Sequence, residues 1–396
     1  MLCGCAVTRV YARIPVLITL AGHRLEAKYK SATLDRDPAP PGVLEYFLTM
    51  GTVNLHAYSD SLDVTFLESP IPSERQEKIV TQFWGSTHTY QTPCFRLYFQ
   101  YYTEQCRIVY QSHGTNLAIR THRHIVELAS RIQDGLSRSE VYEFVEKSQW
   151  TSAPASIDSI NASIDLTARL LYMLDIGEFR NGHSGRNPLL WVQGSLDDFL
   201  RENLAEANSE PDDGIKFEKS FNLIRMVGIA GFDVELTSNL SDHLRFRDSD
   251  KTVKIFHHAS FLEAHKKTSA YPSGLVDETL ATLALFFPKG DKETERWYKK
   301  QGNAEELDKS ILRRPKIDLG IKEYRYWHDR LVILKTEFDE SRPSTIAQWW
   351  NDRRDVSQWY PLWVAISLTV LFGLVQSIEG ALQVYKAFNP YFSGGG

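Results

Sequence analysis

Cysteine is scarce and poorly placed for cross-linking. The chain has four cysteines in 396 residues, Cys3, Cys5, Cys94 and Cys106, which is too few for a disulfide framework and fits a reducing compartment. A net basic charge is also missing. Forty-five Lys and Arg against 50 Asp and Glu give a formal −5, so no nucleic acid is expected as a partner. The catalogue of phosphate, nucleotide and hydrolase signatures is empty as well. There is no Walker-type loop, no dinucleotide GxGxxG, no HExxH, no GxSxG and no paired CxxC. Gly228–Phe232 (GIAGF) has too few glycines to cradle a phosphate, and no internal repeat of fixed period is found. These absences lower the standing of each corresponding enzyme class, and no cofactor or catalytic residue is assigned.

The most informative absence is of charge near the end of the chain. No Asp, Glu, Lys or Arg occurs between Val356 and Ile378, inside the stretch Trp359–Tyr385 (WYPLWVAISLTVLFGLVQSIEGALQVY). A spanning helix needs roughly 20 mostly apolar residues, and Pro361 to Tyr385 extends about 37 Å at 1.5 Å per residue. Pro361 suits a first helical turn, where its missing N–H goes unused. Trp349, Trp350, Trp359, Tyr360 and Trp363 flank one end, and Tyr385, Phe388, Tyr391 and Phe392 the other, matching the interfacial preference of aromatic rings. Glu379, beside Gln376 and Gln383, is the weak point. A carboxylate at the bilayer centre costs about 2.5–3.5 kcal/mol, but the centre falls near Gly373 and the surrounding aliphatic residues outweigh an off-centre charge.

Arg342, Arg353 and Arg354 precede the segment and only Lys386 follows it, which by the excess of basic residues places the N-terminal bulk in the cytosol. The expectation is a single-pass, C-terminally anchored protein with the lipid bilayer as its first partner. One face of the helix carries Thr369, Gly373, Gln376, Gly380, Gln383 and Ala387 at alternating steps of four and three. In lipid, small residues and side-chain amides drive helix association, so self-association or pairing with another membrane helix is expected through this stripe. The competing reading is a helix buried in a soluble core or at a subunit interface.

The fold class expected is α+β: a mostly helical region with a strand-rich N-terminal part, then one C-terminal transmembrane helix. Residues 1–41 read as tail and linker, ending in the prolines Pro38, Pro40 and Pro41. The apolar run Ile14–Gly22 is too brief for a signal peptide and lacks a clean cleavage site. Residues 42–112 read as strands: Val43–Thr49, Thr52–Tyr58, Leu62–Glu68, and a hairpin of Cys94–Tyr102 with Gln105–Tyr110 turning at Thr103 and Glu104. Residues 113–340 read as helices on a 3.6-residue period, with Ser137 and Ser195 as caps, a helix carrying Ile157, Ile160, Ile164, Ala168 and Leu171 on one stripe and stopped by Gly177, and two strands within 231–258, Phe232–Thr237 and Val253–His258. A juxtamembrane helix is expected over 341–358, the membrane helix over 359–386 and a short tail over 387–396. Helices followed by two strands joined by a short turn make a winged-helix-like order. Without a basic recognition face it favours protein contact or scaffolding over DNA reading.

The richest local cluster of chemical groups is Asp242-His243 with His257-His258, followed by Glu263 and His265. Imidazole and carboxylate serve as metal ligands and acid–base groups, so a metal-dependent hydrolase built on Asp242, His243 and His257 is the alternative function. Adjacent strand residues point to opposite faces, however, which separates His257 from His258. His122 and His124 lie about 200° apart on a helix and read as part of a solvated face. The sequons at Asn161 and Asn239 matter only if the topology is reversed.

Ser163–Gly177 (SIDLTARLLYMLDIG), Asn239–Phe246 with Val253–Glu263, and Gln348–Arg354 followed by Trp363–Ala387 resemble uncharacterised proteins of filamentous fungi, of ascomycete type, that end in a hydrophobic membrane segment. The resemblance covers about Arg120 to the C-terminus. It implies a helical cytosolic part and a C-terminal membrane segment, and it brings no activity, cofactor or functional residue. The function expected is a membrane-anchored interaction or scaffold protein. The alternatives are the hydrolase above and a soluble docking protein whose apolar helix is buried at an interface.

Overall fold

The computed structural model describes residues 61–85, 92–148, 150, 154–179, 188–206, 217–218, 221–266, 270–302, 306–314, 320–341 and 356–388. The strands expected at Val43–Thr49 and Thr52–Tyr58, the N-terminal linker, the juxtamembrane helix and the final tail lie outside them. The described chain is mostly helical, with one three-stranded sheet and one long apolar helix toward the C-terminus.

The strand-rich reading of 62–112 is not supported. Leu62–Glu68 is irregular, joined to the body by one antiparallel bridge between Thr65 and Thr121. Helix α1 (Ser73–Trp84) follows, and the expected hairpin is a single helix, α2 (Thr92–His113). Phe95, Tyr98, Phe99, Tyr102, Cys106 and Val109 are buried along α2, spacings of three and four that define one helical stripe. The Thr103 hydroxyl, placed in a supposed turn, donates instead to the Phe99 carbonyl one turn earlier. Cys106 is a free, buried thiol inside this helix.

Helix α3 (His122–Gln133) is capped by Thr121 and α4 (Arg138–Lys147) by a reciprocal box between Ser137 and Glu140. Helix α5 (Ile157–Tyr172), capped by Ser156, is the hub onto which α2, α3 and α4 pack. Ile160, Ile164, Ala168 and Leu171 are buried there as the periodicity requires, whereas Ile157 in the first turn is exposed. The helix stops at Met173, which is left-handed, rather than at Gly177. Buried tyrosines of α2 satisfy carbonyls near that end: Tyr98 donates to Leu170 at 2.8 Å and Tyr101 to Arg169 at 3.3 Å.

Helix α6 (Leu196–Asn203) is capped by Ser195. A short turn, α7 (Leu223–Arg225), widens into a π-helical turn at Met226–Ala230 and closes on left-handed Gly231. The sheet then forms from β1 (Asp233–Thr237), β2 (Arg245–Arg247) and β3 (Thr252–Phe256) in the order β1-β3-β2. Strand β3 runs parallel to β1, with Val234 beside Val253 and Leu236 beside Ile255, and antiparallel to β2. The winged-helix-like hairpin is therefore corrected: the two long strands run the same way, and the segment between them supplies a third. Helices α8 (Ala259–His265), α9 (Leu275–Phe286), α10 (Lys292–Lys300) and α11 (His328–Glu340) complete the body. Tyr98 of α2 stacks on Phe261 of α8 at 5.4 Å, joining the helical hub to the sheet's exit helix.

Candidate functional site

Two places in the described residues combine position with unmet physical demand. The first is helix α12 (Val356–Phe388). It begins five residues before Pro361, so that proline sits inside the helix rather than in its first turn. Its segment Trp359–Phe388 has a mean hydropathy of 1.8, and none of its most apolar window is buried. Twelve large apolar side chains from Leu362 to Val384 are exposed. At about 1.5–3 kcal/mol for covering each, they leave roughly 20–35 kcal/mol of burial unrealised, more than the 5–15 kcal/mol by which a whole domain is usually stable. Two of its hydroxyls are satisfied internally: the Thr369 hydroxyl donates to Ala365 and the Ser377 hydroxyl to Gly373, each at 2.8 Å. The stripe of Thr369, Gly373, Gln376, Gly380 and Gln383 is likewise uncovered, and a Cβ built on Gly373 or Gly380 meets nothing within 4 Å.

The second place is a cleft of about 400 Å³ at the carboxyl ends of β1 and β3, walled on one side by α2. Thr237, Ser238 and Asn239 enter it from the end of β1, and His257 and His258 from the end of β3. Those two histidines fall beyond the last paired residue, Phe256, so strand alternation does not separate them. Their rings lie 4.3 Å apart and both line the cleft. His258 exchanges a hydrogen bond with the Ser238 hydroxyl at 2.8 Å. Burial holds the His257 imidazole down to about 4, against the pull of the Asp308 carboxylate, and pushes His258 well below the ordinary histidine range. Both rings are neutral at pH 7.

The triad Asp242, His243 and His257 does not converge there. Asp242 and His257 line the cleft, but His243 is turned into the core behind it. The Thr282 hydroxyl donates to Thr279, so it accepts from His243 Nε2–H at 2.7 Å, while His243 Nδ1 accepts the Phe256 N–H at 3.2 Å. Both ring nitrogens are thus committed in one neutral tautomer, and burial with the neighbouring Arg330 charge keeps the ring from protonating. Asp242 is itself paired with Arg245 at 3.1 Å and Lys254 at 3.4 Å. His265 lies apart from the cleft, with Nδ1 at 2.8 Å from the Phe261 carbonyl. Among the described residues no group of three or more His, Cys, Asp or Glu is arranged to hold a metal ion.

The pair His122 and His124 does diverge on its helix, but neither forms a solvated face. His122 is buried against the Tyr102 hydroxyl at 2.9 Å, and His124 stacks on Trp150 with centroids 4.7 Å apart. The polar residues of the cleft that sequence reading passed over are Gln105 and Asn239. Gln105 lay in a supposed strand, and Asn239 was noted only as a sequon. It is 5% exposed, too enclosed to carry a glycan in the folded protein. No protein-family model, no curated protein and no solved structure matches the chain.

Proposed function

We propose that this chain is a membrane-anchored protein that crosses the bilayer once through Trp359–Phe388 and holds its globular body in the cytosol as an interaction or scaffold module. The supporting observation is the wholly uncovered apolar helix, 30 residues long, whose burial demand the rest of the described chain leaves unmet. Lipid meets that demand at the length a bilayer requires. Orientation follows from Arg342, Arg353 and Arg354 on one side against Lys386 on the other. The interaction role rests on the open stripe of Thr369, Gly373, Gln376, Gly380 and Gln383, which suits a second copy of the helix or a partner membrane helix. The same reading accommodates the resemblance to fungal proteins ending in a membrane segment.

Alkaline carbonate extraction combined with protease protection tests it. The protein is expected in the membrane pellet, with the globular body digested in sealed vesicles and the helix protected. Release into the supernatant, with the helix covered by a protein partner, would replace the anchor with a docking helix. Cross-linking in membranes tests the stripe: a Gly373→Leu, Gly380→Leu double variant is expected to lose the oligomer while remaining membrane-bound.

A further inference from the structure

Strand β1 closes one side of the sheet, and among the described residues no strand pairs with its outer edge. In the parallel ladder the Asp233 N–H donates to the Lys251 carbonyl at 3.0 Å, and the Thr237 carbonyl accepts the His257 N–H at 3.2 Å. Residues 233, 235 and 237 therefore turn their main-chain groups toward β3, and residues 234 and 236 turn theirs outward. The Val234 N–H is taken by the Asp233 carboxylate at 3.0 Å. The Val234 carbonyl and both the N–H and the carbonyl of Leu236 are left as an open row, without partners among the described residues. Such a row of alternating donors and acceptors is a template for another extended chain.

The surroundings of that edge differ on its two faces. Side chains alternate along β1, so Asp233 and Glu235 share one face, both exposed, while Val234 and Leu236 share the other. Glu235, Leu236 and Thr237 all line the cleft of about 400 Å³, which therefore runs along the edge rather than over one face. Leu97, Tyr101 and Ile108 of α2 line it too and give an incoming strand an apolar floor beside Leu236. On the opposite face an incoming strand meets carboxylates. Among the described residues neither Asp233 nor Glu235 lies within ion-pair distance of a cation. Lys254, next to Glu235 in the register, holds Asp242 at 3.4 Å, and Arg247 holds Asp250 at 2.6 Å.

We propose that β1 takes up an extended segment of a partner protein as a fourth strand, one in which basic residues alternate with aliphatic ones. Its main chain bonds to Leu236 and Val234. Its aliphatic side chains fall toward Leu236 and α2. Its basic side chains stand across from Asp233 and Glu235, where opposite charges on neighbouring strands stabilise the pairing. A second copy of the chain does not suit this edge, because two β1 strands set side by side bring Asp233 and Glu235 against the same carboxylates. The docking strand gives the globular body, read as an interaction module, a site of its own. That site stands or falls independently of what surrounds α12.

The test is fluorescence anisotropy of the full chain in non-ionic detergent micelles, with empty micelles as blank and a labelled, capped Lys-Val-Lys-Val-Lys-Val peptide as probe. The probe is expected to bind about tenfold or more tightly than its Glu-Val counterpart, with an affinity that falls as salt rises. A fully N-methylated copy keeps the charges and side chains but loses every main-chain donor, and is expected to bind about tenfold more weakly. Asp233→Asn keeps an oxygen for the Val234 amide. Combined with Glu235→Gln, it is expected to weaken the probe about fivefold or more and to leave the near-ultraviolet circular dichroism unchanged. Equal binding of the Glu-Val peptide, or unchanged affinity in the double variant, would overturn the charge pairing. Equal binding of the N-methylated copy, or no binding of the probe, would overturn strand addition. Loss of probe binding as the chain is concentrated would assign the edge to a second copy and likewise overturn the proposal.

Discussion

The Glu278 carboxylate accepts the main-chain N–H of Trp327 at 2.7 Å, tying the first turn of α9 to the start of α11. Its other oxygen accepts from Arg325 at 2.8 Å and Tyr326 at 3.1 Å, so one side chain satisfies three successive amides. Helix α11 has no side-chain cap of its own at Trp327, and Glu278 supplies the acceptor from across the core. The Trp327 indole N–H then donates to Thr279, the next residue along α9, at 2.9 Å.

Glu278→Ala is therefore expected to destabilise the body by about 2–4 kcal/mol, because it leaves the buried Trp327 amide and two part-buried amides without an acceptor. Glu278→Gln keeps one acceptor oxygen and turns an NH₂ toward the remaining amide, so about half that loss is expected. Urea unfolding followed by tryptophan fluorescence measures both. Losses below about 1 kcal/mol in the alanine variant would show that these amides find other partners.

Gly177 is the second test of internal design. It is left-handed at φ +80°, and a Cβ there would fall on the Asp165 carboxylate of α5. Asp165 is buried and holds Arg138 of α4 at 2.7 Å, while Arg138 also donates to Asn161 at 3.0 Å. Gly177→Ala is expected to cost about 3–5 kcal/mol, mostly by displacing one member of a buried ion pair. In an Arg138→Met background the same change is expected to cost less, since the pair is already gone. Equal losses in both backgrounds would assign the effect to backbone strain alone.

Reading Gly177 as a helix stop picked out a left-handed glycine for the wrong reason, since the helix ends at Met173, and the same pattern recurs elsewhere. Single-element signals were legible: the serine caps Ser137 and Ser195, the α5 stripe, the individual strands β1 and β3, and the long apolar helix. Helix α2 was not, because Phe95, Tyr98, Phe99 and Tyr102 are β-formers by composition, and their spacing of three and four was overruled by residue type. The parallel pairing of β1 with β3 was hidden because a short connection between strands suggests a hairpin, whereas burial of both faces of β3 places it centrally. The cleft was half visible. Its histidines and Asp242 were noticed, but their convergence depends on β3 ending at Phe256, and Gln105 and Asn239 signal nothing until their surroundings are known.

Acid is expected to weaken the fold through histidines buried in the neutral state. Burial together with the Arg75 charge lowers His122 to about 3, burial lowers His257 to about 4, and burial holds His243 and His258 well below the ordinary histidine range. The unfolded chain takes up protons at these residues near 6.5 and the native chain does not, so the stability they hold above that pH is lost progressively as pH falls from there toward their native values. At pH 5.5 each buried histidine contributes a loss of about 1.4 kcal/mol relative to pH 7.5. The losses from His257 and His122 stop growing only near their native values. Urea midpoints at the two pH values measure the sum, and His122→Gln is expected to reduce the drop by about one histidine's share. A flat profile between pH 7.5 and 5.5 would mean these rings already carry protons in the native state.

The membrane helix yields the sharpest contrast between lipid and protein as its surroundings. Leu371 and Leu374 lie close to its centre, and both are exposed. Two arginines there add about 5–7 kcal/mol to the cost of insertion, enough to offset much of the gain from the remaining aliphatic residues. If lipid surrounds the helix, Leu371→Arg with Leu374→Arg is expected to move the protein from the carbonate-resistant pellet to the supernatant. The globular body should stay folded, because none of its packing depends on these side chains. Glu379→Lys, one to two turns further on, is expected to leave the protein in the pellet, since a long basic side chain near the interface reaches the headgroups. If protein surrounds the helix, both central substitutions would disrupt a packed interface and leave membrane association of the wild-type chain unexplained. Fractionation of the double variant beside Glu379→Lys separates the two, because a penalty that depends on depth along the helix is a property of a bilayer.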